Sequence, residues 1–166
     1  MGTRREARER AVQFLFQHDL NPADDLNQAL AQFWQAQQIV ALSEKERRAI
    51  LQSGAELPPP STQQTAVQLF AEPLIRGVLE HQSAIDDAIR QHVKNWELHR
   101  IAAVDRNVLR LAIFEMLHRD DIPPVVSINE AVDIAKRFST EDSGKFVNGI
   151  LDQIKGELLR PARIVH

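Results

Sequence analysis

Between about His99 and His118 the chain carries Val104, Val108, Leu109, Leu111, Ile113, Phe114, Met116 and Leu117, so a helix through them has no wide polar face. Such a helix must be surrounded by other elements, and the rest of the chain has to supply the walls. Elsewhere apolar residues recur at helical spacing, with no alternating stretch bounded by hairpin turns. The expected fold is all-α, a compact protein of about seven helices in two helical-bundle subdomains sharing one core. At 166 residues and 43% hydrophobic content, one such domain can close a core of its own.

The walls can be placed by their stripes and stop signals. Arg4 to His18 reads as a helix on Ala7, Ala11, Val12 and Leu15, ended by Asn21-Pro22. A second helix, Ala23 to Leu42, carries Leu26, Leu30, Phe33 and Trp34, and a third starts at a Ser43–Glu46 capping box. Gly54 to Gln64, with Pro58, Pro59 and Pro60, is expected to be a mobile loop. Helix resumes through Val67, Phe70, Leu74, Val78 and Leu79, with Pro73 expected to kink it or open its second half. Ser83 and Asp86 suggest a capping box before Ile85, Ile89, Val93 and Trp96. Pro123-Pro124 lies in a turn, Ser127 and Glu130 suggest the cap of a helix striped by Ile128, Ala131, Val132, Ala135 and Phe138, and Ser139 with Asp142 the cap of the last. That last helix carries Val147, Ile150, Leu151, Ile154 and Leu158 and stops at Pro161. The boundary between subdomains falls near residue 82, giving an N-terminal helical subdomain over 1–82 and a C-terminal bundle over 83–166 within one domain spanning 1–166.

Composition removes several classes of function. Without cysteine there is no disulfide framework and no thiolate metal site. Histidines at 18, 81, 92, 99, 118 and 166 do not form the H-E-x-x-H spacing of a zinc site, and there is no Gly-rich phosphate loop or G-x-S-x-G elbow. The expectation is a non-catalytic protein with no cofactor and no metal. Met1 to Arg10 lacks the apolar region of a signal peptide, and no apolar run approaches the roughly 20 residues that span a bilayer, so a cytoplasmic protein without membrane attachment is expected. A formal net charge of −3, from 20 basic and 23 acidic residues, argues that any contact with nucleic acid is local.

Two places offer such a contact. At about 100° per residue, Arg4, Arg5 and Arg8 share one arc of the first helix, with Glu6, Glu9, Gln13 and Gln17 opposite. Ala11, Val12 and Leu15 continue that arc, which projects the guanidiniums past the end of the bundle, where their forks suit phosphate oxygens. On the last helix Phe146 stands about 100° from the buried stripe, close to Asp142 and Gly149, with Lys145 at its margin. An aromatic ring beside a lysine can stack an unpaired base while the ammonium holds a phosphate. The ordinary alternatives are a solvated helix end with i, i+4 ion pairs and a ring packed on a neighbouring helix.

The segments Arg4 to Phe16 (RREARERAVQFLF), Val104 to Met116 (VDRNVLRLAIFEM) and Asp121 to Asp152, which contains NEA and then EDSGKFVNG, resemble the NusB family of bacterial transcription antitermination factors. The resemblance spans nearly the whole chain except roughly Ser43 to Gln64. It implies a two-subdomain helical protein that binds single-stranded boxA RNA of ribosomal operon leaders, acts with the ribosomal protein NusE, and joins an antitermination complex on RNA polymerase. By position it assigns RNA contacts to Arg4, Arg5, Arg8 and Phe16 and to Asp142, Ser143, Lys145 and Phe146. Phe16 stands where many relatives carry tyrosine, which keeps stacking and removes a hydroxyl, and Glu6 interrupts what is a continuous arginine run in some relatives. For NusE, Asp105, Arg106 and Arg110 are the candidates, because charges on an apolar helix need partners. Their alternative is an internal ion-pair network. Two further readings compete: a homodimeric helical interaction module with the RNA surface occluded or weak, and an accessory to RNA modification. The second is disfavoured because no methyltransferase domain follows His166.

Overall fold

The computed structural model describes residues 2–93 and 98–159, and all regular structure among them is helical. Eight α-helices follow in order: α1 Thr3–Leu20, α2 Leu26–Ala41, α3 Glu44–Ser53, α4 Thr62–Glu80, α5 Gln82–His92, α6 Ala103–His118, α7 Pro124–Phe138 and α8 Glu141–Leu159, with one 3-10 turn at Leu98–Arg100. The expected contributions of Trp96 and Pro161 lie outside the described residues.

Helix α6 is the axis of the molecule, packed by α1, α4, α5, α7 and α8. Eleven of its 16 residues are buried, from Asp105 to Glu115. Its apolar circumference therefore does what the sequence requires, although Leu117 emerges at the C-terminal end. Around it Leu15 of α1, Leu74 and Ile75 of α4, Ile85 and Ile89 of α5, Ile134 of α7 and Leu151 of α8 are almost wholly removed from water. Burying one such side chain contributes about 1.5–3 kcal/mol, so the helices are held by this shared core more than by their own propensity. Helix α4 comes close to α6 at Gly77, where an added Cβ would sit 2.0 Å from the Phe114 ring. Only a residue without a side chain admits that contact.

Several boundaries differ from expectation. Residues 54–61 form the irregular stretch, because Ser61 and Gln64 make a reciprocal capping box that starts α4 earlier. Gln38 Nε2 donates to the Pro58 carbonyl, which rests the proline segment on α2. Helix α4 runs through Pro73 as one element, with Leu74, Ile75, Gly77 and Val78 beyond it buried. Core contacts there offset the hydrogen bond that proline cannot make. The Ser83 cap does not form, since α5 begins at Gln82 immediately after α4. Nor does the Ser127 cap: α7 starts at Pro124 with Pro123 in the N-cap position, and Ser127 is buried inside the helix. Proline suits the first helical turn, where its missing N–H is not needed. The start of α8 is capped by Thr140 rather than Ser139, with Thr140 Oγ1 accepting from the Ser143 N–H. Helix α3 keeps its Ser43–Glu46 capping box but buries no residue.

Candidate nucleic-acid interface

The arginine arc of α1 is real, but its centre faces inward. Arg8 is 3% exposed and its Nε and Nη2 donate to Glu115 Oε2 and Oε1 at 2.9 and 2.8 Å. Ser127 Oγ donates to the same carboxylate at 3.1 Å, so one acid of α6 ties α1 to α7. This corrects the expectation that all three guanidiniums project past the bundle: Arg8 is a core residue, because Glu115 waits for it beyond the last apolar turn.

The flanking arginines diverge to either side. Arg5 turns toward α7, donating to Glu130 Oε2 and Oε1 at 2.8 and 3.1 Å and to Asp133 Oδ2 at 2.7 Å. The bond from Glu130 and the two negative charges raise the Arg5 pKa further above its ordinary value, so it stays charged at every accessible pH. Arg4, exposed, places its guanidinium 5.1 Å from the centre of the Phe70 ring on α4. Between α1 and α7 lies an open groove of about 610 Å³ lined by Thr3, Arg4, Arg5, Glu130, Asp133 and Arg137 among others. Arg137 closes it by donating to the buried Glu9 at 2.6 Å.

A second, more apolar groove adjoins the first, formed by Glu9, Arg10, Val12, Gln13, Phe16, Val104 and Phe138. Phe16 is half-buried in its wall. Phe138, expected in the core stripe of α7, is instead 48% exposed, with the Arg137 guanidinium 5.2 Å from its ring centre. It is the last residue of α7, where the chain leaves for α8, and it borders the groove across from α1.

The α8 end of the surface is set by hydroxyls. Ser143 Oγ donates to Asp105 Oδ2 at 3.0 Å and lies 2.8 Å from Ser139 Oγ. Ser143 is thus turned inward and holds the first turn of α8 to the first turn of α6, leaving Asp142 and Lys145 exposed and Phe146 half-buried against the core. Gly144 allows the closeness of α7 and α8, since a Cβ there would stand 2.7 Å from Lys136 Cγ. Arg5, Arg137, Phe138 and Phe16 thereby line the α1–α7 seam along its length, Arg5 near the start of α1 and Phe16 about 16 Å further on, while Lys145 lies on α8, which packs against α7. Arg137 and Phe138 were missed at the sequence level, although an arginine next to an aromatic at a predicted helix end was the signal.

The three residues named for a protein partner are interior. Arg110, 5% exposed, forks onto Asp86 at 2.8 and 3.0 Å and reaches Asp19 at 3.1 Å. Arg106 donates to Asp19 at 2.8 Å and to the Ile101 carbonyl at 3.0 Å. Burial alone would raise the Asp19 pKa, but the bond from Arg106 and the charge of Arg110 bring it below the usual carboxylate range. Asp105 is the reverse case: burial pushes its carboxyl up against the opposing hydrogen bond from Ser143, and its Oδ1 has no hydrogen-bond partner among the described residues. Arg106 and Arg110 therefore belong to an internal network with Asp19 and Asp86, whose outer edge lines an open pocket, while Asp105 stands apart from it, held by Ser143.

The NusB family profile matches residues 5–155. The chain belongs to the NusB family. A transcription antitermination protein NusB from Methylacidiphilum infernorum is 42% identical, the match covering 93% of this chain and 91% of that protein. The structure of T. maritima NusB superimposes with a TM-score of 0.67 at 40% identity, over 93% and 91% of the two chains. A structure of antitermination factors NusB and NusE in complex with double-stranded RNA is similar at a TM-score of 0.65 and 25% identity, over 95% of this chain and 98% of that one. NusB proteins are transcription antitermination factors and not enzymes. The NusB fold here presents two open grooves that follow one another along α1. No helix among the described residues is long and apolar enough to cross a membrane, and no three described His, Asp or Glu side chains could hold a metal ion.

Proposed function

We propose that the chain is a non-catalytic RNA-binding antitermination factor of the cytoplasm, which binds boxA-type single-stranded RNA of ribosomal operon leaders together with NusE and joins the antitermination complex on RNA polymerase. What carries the reading is the family match across residues 5–155, in a chain whose two successive grooves along α1 display Arg5 and Arg137 in one and Phe16 and Phe138 in the other. A related NusB has been seen with NusE and RNA. Arg4, Arg5, Lys145 and Phe146 meet the RNA in this reading, with Phe16 and Phe138 as stacking platforms and Asp142 at the edge. Arg8 and Ser143 act as positioning residues, one anchoring α1 through Glu115 and the other anchoring α8 through Asp105.

The test is fluorescence anisotropy of a boxA-like RNA and a scrambled control, titrated with the protein alone and with NusE at two salt concentrations. Preference for boxA that strengthens with NusE and weakens with salt is expected, because phosphate contacts release counterions. No binding even with NusE would overturn the proposal and leave a helical protein-interaction module, which sedimentation would then show as a homodimer.

A further inference from the structure

The two sides of the α1 N-terminus differ in charge balance. On the α7 side, Arg5 and Arg137 engage three carboxylates, those of Glu9, Glu130 and Asp133. On the other side, three guanidiniums converge on one ring: Arg4, Arg8 and Arg119 lie 5.1, 5.3 and 5.3 Å from the centre of Phe70. Among the described residues these engage two carboxylates, Glu115 for Arg8 and Asp121 for Arg119. Arg4 has no carboxylate within ion-pair distance among the described residues. The positive excess at this end of the molecule therefore lies over Phe70, on the α4 and α6 side.

The pair at the α6 C-terminus shows what such a site accepts. Arg119 Nε and Nη2 donate to the two oxygens of Asp121, each at 2.9 Å, in the fork geometry that a phosphate also satisfies. Asp121 is only two residues away and its side chain is 54% exposed, while that of Arg119 is 26% exposed and held against Phe70. The acid can swing into water while the arginine stays in place. Ring contact keeps Arg4 and Arg119 together, and guanidiniums stacked on an aromatic face retain in-plane N–H groups for an anion.

We propose that Arg4 and Arg119, arranged over Phe70, form a phosphate clamp that carries the RNA backbone past the end of α1 onto the α4 and α6 flank, with Asp121 occupying the clamp in free protein. This rests on the RNA-binding reading above and extends its footprint from Arg4 to Arg119, which that reading did not include. Asp121 and Arg119 then act in opposite directions on RNA, which a merely structural ion pair would not do.

The experiment measures anisotropy of the same boxA-like RNA over a salt series with wild-type protein, Arg119→Gln, Arg119→Lys and Asp121→Asn, each with NusE. R119Q is expected to bind roughly three- to tenfold more weakly, with a salt slope smaller by about 1, the signature of one lost phosphate contact. R119K, which keeps the charge, recovers the slope, and D121N binds more tightly than wild type. Wild-type affinity and slope in both R119Q and D121N would overturn the clamp while leaving the RNA-binding reading intact. Absence of RNA binding by the wild-type protein with NusE would overturn the reading and the clamp with it. Circular dichroism melts check folding, and D121N decides the matter should R119Q be unstable, since the clamp requires it to gain affinity.

Discussion

Arginines of this molecule occupy two environments that their sequence context does not separate. Arg8 and Arg110 are sealed in the interior, Arg8 against α6 and Arg110 between α6 and α5, each bound through two nitrogens to a buried acid, while Arg5 and Arg137 lie along α7 with half-open side chains paired to acids beside a groove. Both sets make short, well-formed ion pairs. The difference is what remains when the partner leaves: a stranded charge in the core in one case, a cation returned to water in the other. Pairing alone thus does not mark a residue as structural or as functional, and water access does.

The sharpest way to break this contrast is Glu115→Ala, which strands Arg8 and removes the acceptor of Ser127. It is expected to cost about 3–5 kcal/mol in urea unfolding, and a loss below about 1 kcal/mol would mean that Arg8 is not a core residue. Phe146→Ala is next, costing about 1–3 kcal/mol of RNA affinity through lost stacking, with its thermal midpoint followed in parallel because the ring also packs on the core. Equal RNA affinity in this variant would remove α8 from the interface.

Protonation sharpens the comparison within the buried set. Asp19 has its pKa lowered by folding, so its contribution to stability is present above its unfolded pKa and lost as pH falls through the folded one. Asp105 has its pKa raised, so the folded state favours its neutral form and loses stability as pH rises through that raised value. Asp105→Asn, neutral at all pH and still able to accept from Ser143, is expected to raise stability at pH 7 by about 1 kcal/mol in thermal melts and to flatten the pH profile. A lower midpoint would show that the ionised carboxylate is needed. Asp133→Asn closes the series, with a stability change within about 1 kcal/mol, since Arg5 keeps Glu130 and both partners reach water.

The helical class, the central place of α6 and the approximate span of every helix were legible because period and apolar content are local properties. Caps were less so. Ser127 had the right spacing to Glu130, yet Ser127 reaches Glu115 and Glu130 reaches Arg5, two long-range partners that outcompete the local box. The same blindness affected the site. Azimuths correctly grouped Arg4, Arg8 and Arg5, but which side of the arc meets a neighbour depends on how far α6 extends. Glu115 carried the missing signal: an acid on an apolar helix needs a partner just as Arg106 and Arg110 do. Phe138 fits the apolar stripe of α7 by spacing, and only its place at the helix end next to Arg137 hinted that it is exposed.

The link between Arg8 and Glu115 joins residues 107 positions apart, with Ser127 beyond them. During synthesis, which runs from the N-terminus, α1 emerges first but cannot be pinned until α6 and the start of α7 have left the ribosome. Closing so long a loop is among the slower steps of assembly. The end of α1 that is proposed to meet RNA is therefore made well before the helix that pins it, so a nascent or truncated chain lacking Glu115 does not present that surface in its finished form.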